Sequence, residues 1–334
     1  YGTSRDGDQV FKENIGGVNL ELRPVRDLQV GASLVQQEGI YYQKHMTPEI
    51  YAGYEYYPFS IYAEYAQKRI EDFDLYGGEG LFTSFTAAVA GIAAQVNYKY
   101  YNFGEDNPYV TPPIVQREFT TKLLSSHPHL PYIDDQVGFE IDISATPHDL
   151  VFLNLNFSRA SKHEGSSVLP SLNEDYAPFW ELFIETEYYA RPDLNTKFGV
   201  GINEEAGPNF WQKKTGLLGE AIYNVNDLWS VTLLAENMQV DDVNLDEEYL
   251  DNYFALTLGR APYGTVTFSY ENSTEETTTE WDKWLGVECA FTVYTQHRLT
   301  VFYGRERGGL KCTSGVCRTV QPFEGFKIGY EGRF

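Results

Sequence analysis

The last ten residues, GFKIGYEGRF, alternate: Phe326, Ile328 and Tyr330 stand two apart with Lys327 and Glu331 between them, and the chain closes on Arg333 and Phe334. A period of two means a β-strand with one apolar and one polar face. The pattern recurs. In VGFEIDIS, Val137, Phe139, Ile141 and Ile143 share one face and Glu140 and Asp142 the other; in WELFIETEY, Trp180, Leu182, Ile184 and Tyr188 oppose Glu181, Glu185 and Glu187. IAAQVNYKYY (92–101) and TVTFSYE (265–271) repeat it. Two readings of such strands stand side by side: the sheets of a soluble sandwich, and the wall of a membrane barrel whose apolar face meets lipid. Ionisable groups occupy the second face too often for a dry core, where each unpaired charge would cost several kcal/mol.

Turn chemistry punctuates the strands. Compact turn signals fall at RPVRD (23–27), YPFS (57–60), AAVAG (87–91), TPHD (146–149), RPDL (191–194), NVND (224–227), RAPY (260–263) and TVYTQ (292–296), eight hairpins in all. They flank segments of about nine to twelve residues, the length that crosses a bilayer when tilted. Longer polar stretches are expected as loops at 101–133, 159–177, 203–214, 240–250, 271–280 and 305–320. Short turns at one end and long loops at the other are the asymmetry of an outer-membrane barrel with periplasmic turns. The fold class expected is therefore all-β: a transmembrane antiparallel up-and-down β-barrel of about 16–18 strands, forming a single domain over 1–334. Residues 1–13 read as a polar loop, and 116–127 as a loop folded into the lumen. Eight hairpins plus the terminal strand make seventeen strands, an odd number that single-chain bacterial barrels avoid, so strands preceding Tyr1 are expected to be missing.

Composition sharpens this picture. Aromatic residues make up 16% of the 334, with 26 Tyr and 21 Phe, as girdles at two membrane interfaces require, while the mean hydropathy is −0.39. No run approaches 18 apolar residues, which excludes helical spans. A net charge of −23 argues against a nucleic-acid partner. Cys312 and Cys317 enclose the turn-forming TSGV and are expected to form a disulfide in an oxidising compartment; the competing metal reading lacks a second Cys or His pair. Cys289 reads as a small packed hydrophobe.

The tail FYGRERGGLKCTSGVCRTVQPFEGFKIGYEGRF is similar to the end of an uncharacterised family of large outer-membrane β-barrel proteins of Bacteroidetes-type bacteria. The shared features fall on Tyr303, Gly304, Gly308, Cys312, Gly315, Val316, Cys317, Arg318 and Phe334. IGGVNLELRPVRDLQVGA (15–32) resembles a mid-chain hairpin of that family, and EEYLDNYFALTLGRAPYGTVTFSYEN (247–272) a late one. The resemblance implies an outer-membrane location and a chain longer at its amino end; it supplies no activity.

Catalytic motifs are missing from the sequence: there is no G-x-S-x-G, H-E-x-x-H or P-loop, and the six His are scattered. His127 and His129 form a two-imidazole pair without a third ligand, and the acidic runs 241–251 and 271–280 weigh more as solvated loops than as Ca²⁺ sites. No enzyme, cofactor or metal is expected. The function expected is a porin-like channel or uptake pore with an acidic lumen; the alternative is a structural, assembly or secretion partner barrel plugged by loops or another chain. Thirteen acids against five bases are placed on the lumen face, among them Glu140, Asp142, Glu181, Glu185, Glu187 and Glu288 against Lys68, Lys99, Lys197, Lys327 and Arg333. Phe326, Ile328, Tyr330 and Phe334 read as the insertion signal of the last strand. The partners expected are outer-membrane lipids and lipopolysaccharide, the barrel assembly machinery, and other outer-membrane proteins or lipoproteins.

Overall fold

A computed structural model describes the chain apart from residues 1, 7–8, 40–43, 71–74, 104–121, 127–128, 130–131, 133, 208–209, 277–280, 294–296, 314–315 and 333–334. The chain divides into two compact units, one of residues 1–116, 131–143 and 157–179, the other of 117–130, 144–156 and 180–334. The first carries β1 (Gly2–Asp6), β2 (Gln9–Val25), β3 (Leu28–Gly39), β4 (His45–Tyr56), β5 (Phe59–Ile70), β6 (Leu75–Val89) and β7 (Ile92–Asn102). A five-residue helix, α1 (Lys122–Ser126), belongs to the second, and β8 (Asp135–His148) and β9 (Val151–Ser161) contribute to both. Then come β10 (Phe179–Arg191), β11 (Leu194–Gly207), β12 (Phe210–Asn224), β13 (Trp229–Asp242) and β14 (Glu247–Arg260). The chain continues through β15 (Gly264–Ser273), β16 (Lys283–Val293), β17 (His297–Glu306), β18 (Gly309–Thr313), β19 (Val316–Val320) and β20 (Phe323–Gly332).

Sequence neighbours pair antiparallel, and β17 pairs with β20 across the small β18–β19 hairpin. The result is an all-β antiparallel up-and-down sheet that fits a barrel wall. Strands β2 to β17 make the eight hairpins expected, joined at or within a residue or two of the turn signals, and β20 is the further terminal strand; the turn before β17 falls mostly on undescribed residues. Ala90 and Gly91 show why the local chemistry works. Both take positive φ, 51° and 80°, as a two-residue turn must if its twist is to match that of the strands.

Several loop expectations are corrected. Residues 203–214 and 240–250 are largely strand, because their polar side chains pair across the ladder: Lys213 reaches Glu204 at 3.9 Å, Gln212 donates to Asp242 at 3.0 Å and Gln239 to Glu248 at 2.5 Å. Within 1–13, expected as a loop, residues 2–6 and 9–13 are strand: β1 pairs with the start of β2, Gly2 opposite Glu13 and Asp6 opposite Gln9, because ladder hydrogen bonds need no apolar alternation. Within 116–127, Lys122–Ser126 is a helix, for reasons set out below.

Burial is inverted relative to a soluble sheet. In the second unit one face of β10 to β17 buries Glu181, Lys214, Glu236, Asp251 and Glu271, while the opposite face exposes Ile184, Phe198, Leu217, Leu233, Phe254, Phe268 and Leu285. The apolar face is bordered by amphipathic rings. At the short-turn end the Arg260 guanidinium lies 5.2 Å from the Trp229 ring centre and 5.1 Å from that of Tyr263, and Arg191 5.9 Å from that of Tyr223. At the loop end the Trp180 and Trp211 indoles both donate to Glu204, at 3.2 and 2.8 Å. Along β10 eight positions separate Trp180 from Tyr188 on the apolar face, about 26 Å of strand at roughly 3.3 Å per residue. A tilt of about 40° reduces this to about 20 Å, somewhat less than the roughly 25 Å apolar band of an outer-membrane barrel.

Candidate functional site: the helix-bearing polar face

The polar face of the second unit is built from register. Glu236, Tyr253, Glu271 and Trp284 are successive cross-strand partners, so they form one transverse row on β13 to β16. On this face sits α1. Glu236 accepts the backbone N–H of Lys122 at 2.8 Å and of Leu123 at 2.7 Å, satisfying two of the donors that a helix leaves open at its start. Lys122 then places its ammonium 3.5 Å from Glu271. Leu123 and Leu124 pack with Phe183, Met238, Val240 and Tyr249 in an apolar cluster set within an otherwise polar face. A floor of paired glycines admits Leu124: Gly201 is opposite Gly216, and a Cβ on Gly216 would stand 2.8 Å from the Leu124 Cδ2.

Beside the helix, Arg307 gathers carboxylates. It contacts Asp251 at 2.6 Å, Glu275 at 3.0 Å and Glu271 at 3.6 Å, with its guanidinium 5.2 Å from the centre of the Trp284 ring. Burial opposes its charge, but Asp251 and its other acidic neighbours outweigh that and hold its pKa above the ordinary value. Farther along the same face, His129 Nδ1 lies 2.6 Å from Glu205 Oε1, both buried beside Lys214, and Asn203 donates to Glu181 at 3.3 Å. Among the described residues no group of three His, Cys, Asp or Glu could hold a metal ion.

The other residues read from sequence fall as follows. Glu185 is buried and Glu187 half-buried, and Lys197 reaches them at 4.0 and 3.4 Å. Glu288 is half-buried on β16, its side chain on the Trp284 side of the strand. Glu140 and Asp142 are half-buried in the first unit, where Asn97 donates to Glu140 at 3.0 Å. Lys68 and Lys99 are buried there too, Lys99 against Gln136. Lys327 pairs with Glu306. Phe326, Ile328 and Tyr330 are exposed on β20; Phe334, Arg333 and His127 lie outside the described residues. Cys312 stands directly opposite Cys317 in the β18–β19 register, and Cys289 is a half-buried free thiol. In the acidic run 241–251, Asp242 accepts from Gln212 and Asp251 from Arg307, so these carboxylates serve the chain's own donors.

Sequence reading missed Lys122, Lys214, Arg307 and Trp284 as parts of this face. Glycines at polar-face positions of β11 and β12 were the available signal for the approach of α1 alone, since glycine inside a strand marks a close approach.

Residues 187–334 match a family described as "Family of unknown function (DUF6029)". No curated protein matches the chain. Among solved structures, a triple mutant of Rhodopseudomonas blastica porin is similar at 11% identity and a TM-score of 0.41, covering 97% of this chain and 100% of that one. A chain titled "Asymmetric conductivity of engineered proteins" gives 12% identity and a TM-score of 0.40 over the same shares.

Proposed function

We propose that this chain is a porin-like β-barrel of the bacterial outer membrane, whose polar face lines a water-filled passage narrowed by α1. The observation that carries this reading is the inverted burial: Lys99 and Asp251 are 0% exposed and Glu181 2%, while Ile50 and Leu285 are 64% exposed and Ile328 62%. In water an apolar face of that extent is a liability; in lipid it is the required exterior. The charge is unevenly shared. Of the buried described residues, seven are carboxylates, all in the second unit, and three are lysines, two of them, Lys68 and Lys99, in the first. The passage is therefore cation-preferring along the second unit. A plugged barrel serving assembly or secretion is the second reading, supported by the number of contacts that hold α1 down. Planar-bilayer recording of the reconstituted protein tests both. Stable open-channel steps are expected; a silent barrel that conducts only after α1 is released selects the plug, and silence in both states overturns the pore.

A further inference from the structure

Next to Lys122 the polar face of the second unit encloses a cavity of about 220 Å³, walled by Tyr253, Trp284 and Phe302 together with Ser269, Glu271 and Glu288. At roughly 30 Å³ per molecule in the liquid it has room for about seven waters, or one small ring. We propose that this cavity is a binding site for a neutral saccharide, one sugar ring held between aromatic side chains and a free carboxylate. This deepens the pore reading, on which its place in the passage rests.

Three observations select the ligand class. Trp284 is 2% exposed, and no acceptor among the described residues lies within hydrogen-bond reach of its indole N–H. A buried donor left so costs about 1–3 kcal/mol, and because Trp284 lines the cavity an oxygen entering beside it would recover that cost. Glu288 is the uncommitted acid of the group: Glu271 is engaged by Lys122 and Arg307 and Glu306 by Lys327, whereas among the described residues Glu288 has no hydrogen bond or ion pair. An ionised carboxylate is a strong acceptor for hydroxyl donors. Tyr253, Trp284 and Phe302 line the cavity, Tyr253 the more open of the three and Trp284 and Phe302 2% and 7% exposed, and together they give its wall apolar surface for the C–H side of a ring. Charge excludes the other classes. An organic cation meets Lys122 and Arg305 on the same wall, and an anion meets Glu271 and Glu288. A polyhydroxylated neutral ring presents donors, acceptors and an apolar face together.

The test uses the full chain in detergent micelles, titrated with D-glucose, D-galactose, N-acetyl-D-glucosamine and maltose, with choline and acetate as ionic probes, read by calorimetry and tryptophan fluorescence. Saturable millimolar binding of at least one sugar is expected, weakened at least tenfold in Glu288→Ala and in Trp284→Phe, with wild-type melting temperatures. Should Trp284→Phe fail to fold, Glu288→Ala alone decides. No sugar binding, binding unchanged in Glu288→Ala, or tighter binding of choline or acetate than of any sugar overturns the proposal. Conductance of the same preparation separates the two readings: sugar binding without conductance overturns the pore and leaves the site standing, and conductance without sugar binding does the reverse.

Discussion

Leu124 sits over the glycine pair Gly201 and Gly216, and Glu236 holds the two backbone N–H groups at the start of its helix. These contacts are modest singly, and they fix α1 in one position because one is apolar and the other polar. Truncating Leu124 to Ala removes buried apolar contact worth roughly 2–5 kcal/mol, and Glu236→Ala leaves two N–H groups without an acceptor at about 1–3 kcal/mol each. Either change is expected to free α1 and raise single-channel conductance, most in the double variant; unchanged conductance steps in all three would mean that α1 does not narrow the passage. A second residue-scale expectation concerns Cys312 and Cys317. Their direct opposition across β18–β19 suits a disulfide, so native protein analysed without reductant should resist alkylation at both and weigh two hydrogens less. Full alkylation of both would remove the bond.

On the proposed pore reading the strands answer to a different solvent on each face. Leu233 on β13 is exposed within the apolar band. In a water-soluble sheet Leu233→Arg at such a position would fall within about 0.5 kcal/mol of neutral, whereas on a lipid face near the bilayer midplane it costs about 2–4 kcal/mol. Urea unfolding in lipid vesicles is expected to show the larger loss, and a neutral result would place this face in water. On β20, Phe326, Ile328 and Tyr330 are exposed on the apolar side of a strand whose other neighbour-facing edge must be covered for the sheet to survive in lipid. Ile328→Asp is accordingly expected to lower outer-membrane yield and abolish heat-modifiable gel migration; wild-type yield would show that this strand carries no insertion signal.

For the molecule as a whole the decisive quantity is where net charge lies. Glu181, Glu185 and Glu187 share one face of β10 with Lys197 of β11 as a partial counterweight, and the buried carboxylates of the second unit outnumber its buried bases. Charge lining a low-dielectric wall focuses the field and sets ion preference. Reversal potentials in a salt gradient are expected to show cation preference, reduced when Glu181, Glu185 and Glu187 are replaced together by Gln. An anion-preferring channel, or a preference indifferent to the triple change, would put the working surface elsewhere.

The sequence by itself determined most of the strands, their two faces and where the hairpins turn. Alternation has a period of two and turn chemistry spans two to five residues, so YPFS, AAVAG and RAPY announce their hairpins whatever surrounds them. It also sorted Glu181 and Glu185 from Ile184 and Tyr188, since neighbours on a strand point to opposite faces. Only the tertiary structure decided what lies on the polar face and what pairs there. The contacts of Glu236 with α1 join residues 113 and 114 positions apart, and no periodicity in either segment records the other. Acid-rich stretches such as 240–250 read as loops until their cross-strand partners are known, because a carboxylate is loop-like when solvated and strand-like when a donor stands opposite. The same holds for Arg307 and Trp284: nothing local distinguishes them, and their chemistry arises from Asp251, Glu271 and Glu288, brought alongside by the register of three separate strands.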